Sequence, residues 1–528
     1  MKSASIPRKP LAALKSSKQA PEPPGVGFRH WMERVLEGAK NAAAGFEADP
    51  VHDLRVALRR CRSMADGFRA IDPDPAWRAM KRAGGRVFRS LGDLRDVQVM
   101  REWLQNLAPP GDLLAQALEQ SLAGREEVLK REAQISLGRL DHDQWRAWAA
   151  HLAGRAERLR LESPVFQYVA LERWHEAHEL HRRALRNRSQ IAWHSLRVGI
   201  KRLRYTAENF LPERHARWGK DLKNIQDVLG EVHDIDVLWE EIRALGFADA
   251  AAVSRWRQRL LAERAERLEA YRRKMVGPAA LWQVWRGELP QGEEQHRALL
   301  ARAQTMVGLS GASVLRARHV ARLVLQLYDG LLQAGVLGPA TTNGPAMTNA
   351  REILHLAALL QDIGRFHAKR GHHKRSYKML GRMAAPLGWS AEEWETVASI
   401  ARYHRGALPE ARHMAYGKIP AVHRRIFLRL AAVLRLANAL DVGPAKAVRA
   451  IQVLRTAETI TLLADGYVEN PATTPGIAIA KHLLETSCGL PILLRGSGTG
   501  KGNVVVMRAA KHAATRRPAI GKSRAALS

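Results

Sequence analysis

The feature that most constrains this chain is an internal repeat of one helical sequence. The stretch "VHDLRVALRRCR" begins at Val51, and "WHSLRVGIKRLR" begins at Trp193 with leucine, arginine and further basic residues at identical offsets. A second pair follows in the same order: "LGDLRDVQV" begins at Leu91 and "LGEVHDIDV" at Leu229. Because the two landmarks recur with nearly the same shift, the sequence predicts a duplicated helical unit.

The 528 residues are too many for one ordinary core, so several domains are expected. Apolar and charged residues alternate with helical period from about residue 27 to 286, in two copies of about 27–140 and 165–280. The fold class predicted is mainly α, with a duplicated helical bundle followed by a second helical domain and a small α/β appendage. The predicted order is a disordered basic tail (1–26), the duplicated domain (27–286), a linker (287–299), the second helical domain (300–445), an α/β subdomain (446–500) and a basic tail (501–528). Within the subdomain, "GIAIAKHLLETSCGLPILLRG" is interpreted as strand–helix–strand.

The charge balance points to a polyanionic partner. The formal net charge is +32, from 84 Lys plus Arg against 52 Asp plus Glu. Nucleic acid, an acidic membrane surface and a phosphate polymer are the candidate polyanions. Only two cysteines are present, Cys61 and Cys488, which is typical of a reducing compartment. Since no apolar run approaches the length of a membrane helix, we expect a cytoplasmic protein without a membrane partner.

The repeated helix presents a stripe of cations. On an α-helix, offsets of 0, 3, 7 and 10 residues fall within roughly one 80° arc about 15 Å long. The residues at these offsets are His52, Arg55, Arg59 and Arg62 in the first copy and His194, Arg197, Lys201 and Arg204 in the second, with Arg60 and Arg202 on the flank. Like charges so spaced repel one another. A solvated helix face remains the plain alternative for one copy, but duplication favours an anionic ligand.

Later helices of each unit add further cations, and two such units facing each other would form a positively charged trough. These cations are Arg82, Arg86, Arg89, Lys220 and Lys223. Sequence-reading nucleic-acid modules usually stack bases on aromatic side chains. The tryptophans here fall at apolar periodic positions and are predicted to be core residues, as at Trp77, Trp145, Trp174, Trp218 and Trp239. A plain phosphate chain requires only cations.

The two stretches "HDLRVALRRCR" and "HSLRVGIKRLRY", each followed by "LG…D", resemble the CHAD domain family over about residues 27–286. The resemblance implies two pseudo-symmetric helical bundles that bind inorganic polyphosphate along a basic central groove. Carried over by position, the ligand-facing candidates are the stripe residues and later cations named above, with Tyr205 closing the second motif.

Histidines and aspartates on successive helices of the second block suggest a metal site. The candidate ligands are His319, Asp362, His373, His404 and Asp441. The order of the phrases "LRARHVARL", "AALLQDIGRF", "HHKRSYKML", "ARYHRG" and "LRLANALD" resembles the HD-type helical domain at the C-terminus of exopolyphosphatases and guanosine pentaphosphate phosphohydrolases. In those enzymes the phosphate-cleaving site lies in two actin-like domains, and in this sequence the CHAD-like half occupies their place.

One departure from the HD pattern bears on catalysis. Gln361 stands where the His of the His-Asp pair is expected, and a carboxamide lacks the imidazole nitrogen that a transition metal favours. His355, one heptad before Asp362, could face the same way. We therefore expect a degenerate HD scaffold without a certain cofactor. A divalent metal is the cofactor that the resemblance implies, but the missing histidine disfavours it.

These observations predict a non-catalytic protein that binds inorganic polyphosphate, with polyphosphate granules as a further expected location. Two alternatives remain open. The chain could be a metal-dependent phosphohydrolase that acts on polyphosphate or a nucleotide, or a non-specific nucleic-acid binder that uses the same charge.

Overall fold

The computed structural model describes residues 24–337, 349–366, 370–441, 448–471 and 473–496, with side chains from residue 27 onward. Apart from the backbone of residues 24–26, the predicted tails 1–26 and 501–528 lie outside these residues. Within them the secondary structure is almost entirely helical, with one small sheet near the C-terminal end. The predicted fold class is confirmed.

The duplication is visible in the order and lengths of the helices. The first copy contains α1 (Pro24–Ala42), α2 (Ala48–Arg69), α3 (Pro75–Leu107), α4 (Leu113–Gly138) and α5 (His142–Ala156); the second contains α6 (Pro164–Asn187), α7 (Gln190–Phe210), α8 (Pro212–Ala244), α9 (Ala250–Met275) and α10 (Leu281–Gly287). Helices α3 and α8 both have 33 residues, and α4 and α9 both have 26. The two repeated phrases therefore occupy equivalent helices: α2 and α7, then α3 and α8.

Local sequence signals explain where these helices begin. Proline occupies the first turn of α3, α6 and α8, where its missing N–H leaves no hydrogen bond unmade. The carboxylate of Asp74 caps α3 by accepting from the N–H of Ala76, and Asp249 caps α9 by accepting from Ala251 and Ala252.

Helices α2 and α7 from the two copies pack against each other. The ring of Phe210 lies so close to Gly67 that a Cβ atom at position 67 would overlap it. Phe210 stacks on Phe166 with ring centroids 4.2 Å apart and contacts Phe68 edge-on at 5.1 Å. Because Gly67 carries no side chain, the two cation-bearing helices can approach closely at their C-terminal ends.

The second half of the chain contains shorter helices and the sheet. Its helices are α11 (Gly292–Leu309), α12 (Val314–Gln333), α13 (Ala350–Leu360), α14 (His372–Leu380), α15 (Ala391–Tyr403), α16 (Met414–Gly417), α17 (Arg424–Leu440) and α18 (Thr474–Cys488), with 3-10 turns at Ile363–Phe366 and Ala421–His423. The strands are β1 (Ala450–Arg455), β2 (Ile460–Asp465) and β3 (Ile492–Gly496). Strand β2 is central, antiparallel to β1 and parallel to β3.

The predicted strand at the start of "GIAIAKHLLETSCGLPILLRG" is wrong. Helix α18 begins before this stretch, with proline in its first turn. Its buried residues Ile477, Ala480 and Leu484 recur at helical spacing on one face. The helix and the final strand of the interpretation are confirmed.

The chain forms two compact units. The first contains the described residues up to Arg318 together with Leu356–Arg402, and the second contains His319–His355 and the described residues from Tyr403 onward. In the first unit, α11 packs on α6, and Arg302 donates to Glu172 and to the carbonyl of Ala70. In the second unit, the N–H of Ile451 on β1 donates to Gln326 of α12.

Among the described residues, no helix combines the length and the apolar character that crossing a membrane requires.

Candidate functional site

In the first unit, the cation stripes of α2 and α7 meet. We name Arg55 and Arg59 of α2 together with Arg197 and Lys201 of α7 the cation cluster. Burial, followed by repulsion from Arg197, Arg59 and Arg55, lowers the pKa of Lys201 to about 7. Arg55 and Arg59 belong to the other repeat, so cations of both repeats lie close enough to lower the pKa of Lys201.

Two arginines of the first copy lie against the surface of α3. The guanidinium carbons of Arg55 and Arg62 are 4.8 and 4.7 Å from the ring centroid of Phe88. Gly92 and Gly85 leave room for them, because a Cβ atom there would lie 2.9 Å from Nη1 of Arg55 and 3.1 Å from Nη1 of Arg62. Cation–π contacts of this kind hold a guanidinium in place without neutralising its charge.

The second copy holds its arginine through polar contacts instead. Gln226 on α8 stands at the position equivalent to Phe88, and its Oε1 accepts a hydrogen bond of 3.0 Å from Arg204. Arg59 and Arg204 both lie over the ring of Tyr205, at 5.5 and 5.7 Å from its centroid. Tyr205 therefore lies between the stripes of the two repeats.

Several donors of these side chains are buried without an acceptor in the part of the chain that the structure describes. They are Nε of Arg59, Arg197 and Arg204, Nη1 of Arg62 and the hydroxyl of Tyr205. A buried donor left unsatisfied costs about 1–3 kcal/mol. An anionic ligand that supplied oxygen acceptors to this set would remove several such costs at once.

The stripe histidines are less basic than histidine in water. Burial, followed by repulsion from Arg95 and Arg59, lowers the pKa of His52. Nδ1 of His194 lies 3.4 Å from Nδ1 of His233 on α8, and burial with the nearby cations lowers both pKa values, that of His233 to about 4. At neutral pH these rings add hydrogen-bonding groups to the site with little positive charge.

Two carboxylates beside the cation cluster were missed by the sequence interpretation. Burial raises the pKa of Asp234 on α8 to about 6, although Arg197 and Lys201 oppose the shift. Burial also raises the pKa of Asp96 on α3 against the effect of Arg55, Arg197 and Lys201. Each is the sixth residue of its repeated phrase, so matched offsets of acidic residues were the available signal.

The remaining predicted cations are paired with carboxylates or exposed. Arg60 pairs with Glu208, and Arg202 pairs with Glu176. The cations of the later helices, Arg82, Arg86, Arg89, Lys220 and Lys223, are exposed. Of the five tryptophans predicted as core, Trp77, Trp145 and Trp218 are buried, while Trp174 and Trp239 are half-buried.

The metal candidates divide between the two units. In the first unit, buried Asp362 lies 2.8 Å from Nη1 of Arg316, 3.2 Å from Nε of Arg365 and 2.9 Å from Nε2 of His372. His372, which lies beside the predicted ligand His373, thus contacts Asp362. The two guanidinium groups compete with a metal ion for this carboxylate, and Gln361 before it offers no imidazole nitrogen.

In the second unit, His319 and Asp441 lie side by side, with 3.5 Å between Nε2 and Oδ1, and His404 is buried. Nη2 of Arg322 is 2.9 Å from Nδ1 of His319. A guanidinium can only donate, so Nδ1 of His319 is the acceptor in this contact.

Comparison with known proteins identifies both halves. The CHAD domain profile matches residues 28–243, and the profile of Ppx/GppA phosphatase, domain III matches residues 313–466. The crystal structure of the CHAD domain from the plant Ricinus communis aligns with 51% of this chain and 96% of that chain, at 23% identity and a TM-score of 0.38. No curated protein matches the sequence. This chain therefore contains a CHAD domain at residues 28–243 and a region at residues 313–466 that matches Ppx/GppA phosphatase, domain III.

Proposed function

We propose that this protein binds inorganic polyphosphate without cleaving it, through the cation cluster and the arginines beside it. The observation that carries the proposal is the set of buried donors from both repeats that have no acceptor in the described residues. Phosphate oxygens are strong acceptors for guanidinium groups, and a chain of phosphates can satisfy donors of α2 and α7 together.

The character of the site favours a phosphate polymer over nucleic acid. Single-stranded nucleic acids bind to aromatic side chains on which their bases stack. Here the rings of Phe88 and Tyr205 lie beneath guanidinium groups, and Trp77, Trp145 and Trp218 belong to the core. Donors to phosphate are abundant, while surfaces for bases are scarce among the described residues.

Binding without cleavage is favoured by the side chains around Asp362. A metal-dependent phosphohydrolase requires a carboxylate that is available to the ion, whereas Asp362 contacts Arg316 and Arg365. We propose that this domain III supports or extends polyphosphate binding, and we derive no chemical step from it.

The three functions can be separated with one purified sample of the full chain. Binding to long-chain polyphosphate would be measured at a fixed salt concentration, with single- and double-stranded DNA as competitors at equal phosphate concentration. Phosphate release would be followed on the same sample with magnesium, manganese or zinc. We expect that neither DNA displaces polyphosphate effectively at equal phosphate concentration. The chain length of the polyphosphate should stay unchanged during incubation with each metal.

Other outcomes would point to the alternatives. Equal competition by DNA would indicate a non-specific polyanion binder. Metal-dependent phosphate release that disappears in Asp362→Ala would establish a phosphohydrolase and refute the proposal.

A further inference from the structure

Lys201 is the one lysine of the cation cluster, and like the three arginines beside it, it has no counter-ion in the described residues. In the described part of the chain, no carboxylate lies within ion-pair distance of its ammonium, and it makes no hydrogen bond. Arg60 and Arg202, by contrast, each pair with a glutamate. A half-buried ammonium among arginines and without a partner is the easiest charge in this site to neutralise.

The groups that act on Lys201 come from several helices. Arg55 and Arg59 of α2 and Arg197 of α7 repel a proton on it, while Asp234 of α8 favours that proton. The charge of Lys201 in turn lowers the pKa values of Asp96 on α3, His194 on α7 and His233 on α8. Helix α6 also packs on α7, but its Glu176 pairs with Arg202 and not with Lys201.

The titratable neighbours of Lys201 differ in how readily they take up a proton. The nitrogens of His194 and His233 are 3.4 Å apart, and two charged imidazoles at that distance would repel strongly. Asp234 is held in a buried position where its neutral form is favoured relative to water. Arginines remain charged throughout, so any change in protonation falls on the lysine, the histidines and the carboxylates.

We propose that this site takes up protons when it binds polyphosphate, with Lys201 as the principal acceptor, an inference that rests on the proposed function. A polyanion placed against the cation cluster supplies the counter-ion that Lys201 lacks and stabilises its charged form. The proton comes from the solvent, and no covalent bond forms or breaks.

The direction of the pH dependence follows from this linkage. In the free protein the pKa of Lys201 is about 7, and a bound phosphate chain raises it. Below pH 7 the lysine is charged in both states and contributes no pH dependence. Above pH 7 binding requires a proton, so affinity falls with rising pH by up to about tenfold per unit, until the pKa of the complex is reached.

The test is calorimetric titration of the full chain with long-chain polyphosphate at pH 8 and fixed ionic strength, in two buffers of different ionisation enthalpy. The difference in heat between the buffers counts the protons taken up. We expect about one proton per chain for the wild type, because a lysine with a pKa of about 7 is mostly neutral at this pH. Long chains keep the titration of terminal phosphates small.

Lys201→Arg separates the role of this residue from general electrostatics, because it keeps the charge at every pH. The variant should bind at pH 8 at least as tightly as the wild type, with proton uptake reduced to near zero. Lys274→Arg on α9, at an exposed lysine near Asp221, is the matched control and should behave as the wild type.

Two results would overturn the inference while leaving the proposed function intact: binding heats that are equal in both buffers, or proton uptake that persists in Lys201→Arg. If that variant does not fold, the wild type alone decides the question. Its affinity at constant salt should fall about tenfold between pH 7.5 and 8.5, and a flat profile would refute the coupling. Failure of the wild type to bind polyphosphate at any of these pH values would refute the proposed function itself.

Discussion

At the scale of single residues, the histidines of the first unit differ in burial and therefore in pKa. His194 lies exposed beside His233, whereas His181 on α6 is buried and its Nδ1 is 2.7 Å from the hydroxyl of Tyr271. Burial, together with the nearby His178, lowers the pKa of His181 to about 4. Such a histidine serves the core only in its neutral form.

His181 should make stability depend on pH. Its pKa is about 4 in the folded chain and near 6.5 in the unfolded chain, so the unfolded state binds more protons between these values. The free energy of unfolding should therefore be highest above pH 6.5 and fall as the pH drops toward 4, by at most about 3 kcal/mol. Denaturant unfolding of wild type and His181→Phe across this range tests the prediction.

The matched control is His175→Gln, at an exposed position of the same helix. It should retain the wild-type pH profile, while His181→Phe makes the profile shallower. An unchanged profile in His181→Phe would show that another group is responsible.

At the scale of helices, the contact between α2 and α7 decides whether one ligand can reach both stripes. Gly67 allows the close approach, and Glu208 of α7 pairs with Arg60 of α2 across it. Asn209 adds a hydrogen bond of 3.0 Å to Ser63. These contacts fix the spacing of the two stripes.

Replacing Gly67 should separate the two helices. Alanine is intrinsically better than glycine in a helix by up to about 1 kcal/mol, but its methyl group would overlap the ring of Phe210. We expect Gly67→Ala to lower the free energy of unfolding by about 1–3 kcal/mol, as overpacked cores do. Gly124→Ala, at a helical glycine with open space around it, should instead raise stability by about 0.5–1 kcal/mol. A stabilised Gly67→Ala would contradict this packing.

Glu208 should have opposite effects on stability and binding. Its carboxylate is only 14% exposed, pairs with Arg60 and lies 3.9 Å from Arg204. Glu208→Gln should cost about 1–3 kcal/mol of stability, because it leaves Arg60 without its charge partner. The same change should raise polyphosphate affinity severalfold, since two arginines lose a competing anion.

The control for Glu208→Gln is Glu176→Gln, which breaks the more exposed pair with Arg202. It should change stability by less than about 0.5 kcal/mol and leave affinity as in the wild type. Parallel loss of stability and affinity in Glu208→Gln would contradict the competition described above.

At the scale of the whole molecule, the duplication made the fold and the central cations predictable. The offsets of α2 and α7 place Arg59 and Lys201 on equivalent faces, and no tertiary information was needed for that. Which flank a neighbouring helix covers is a tertiary property, and for this reason the pairing of Arg60 with Glu208 could not be read from the sequence. Asp96 and Asp234 were missed because only positive charge was followed along the repeats.

The second half of the chain was harder to predict. His372 and His373 are adjacent, and only the start of α14 decides which of them turns toward Asp362. The short apolar run at the start of α18 is compatible with a strand and with a buried helix. Tertiary packing, which the sequence pattern does not show, stabilises the helix.

The side chains around Asp362 should determine how much divalent metal the purified protein contains. We expect the purified wild type to contain far less than one divalent ion per chain, because Arg316 and Arg365 compensate the carboxylate. Gln361→His combined with Arg316→Gln should raise metal content, as measured by elemental mass spectrometry after incubation with zinc or manganese. Stoichiometric metal in the wild type would contradict this account of domain III.

The central claim is that the cation cluster, and not the net charge of +32 alone, binds polyphosphate. The most direct measurement compares two variants that each lose four positive charges. One changes Arg55, Arg59, Arg197 and Lys201 to Gln; the other changes Lys511, Arg516, Arg517 and Lys522, which lie outside the described residues, to Gln. Circular dichroism would first establish that both variants are folded.

Polyphosphate affinity of both variants and the wild type would then be measured over a series of salt concentrations. We predict that the cluster variant loses most of its affinity and that its slope of log affinity against log salt shrinks by about 3, as expected for four lost phosphate contacts. The variant near the C-terminus should keep nearly wild-type affinity and slope. Equal loss of affinity in the two variants would contradict the account, since net charge alone would then explain the binding.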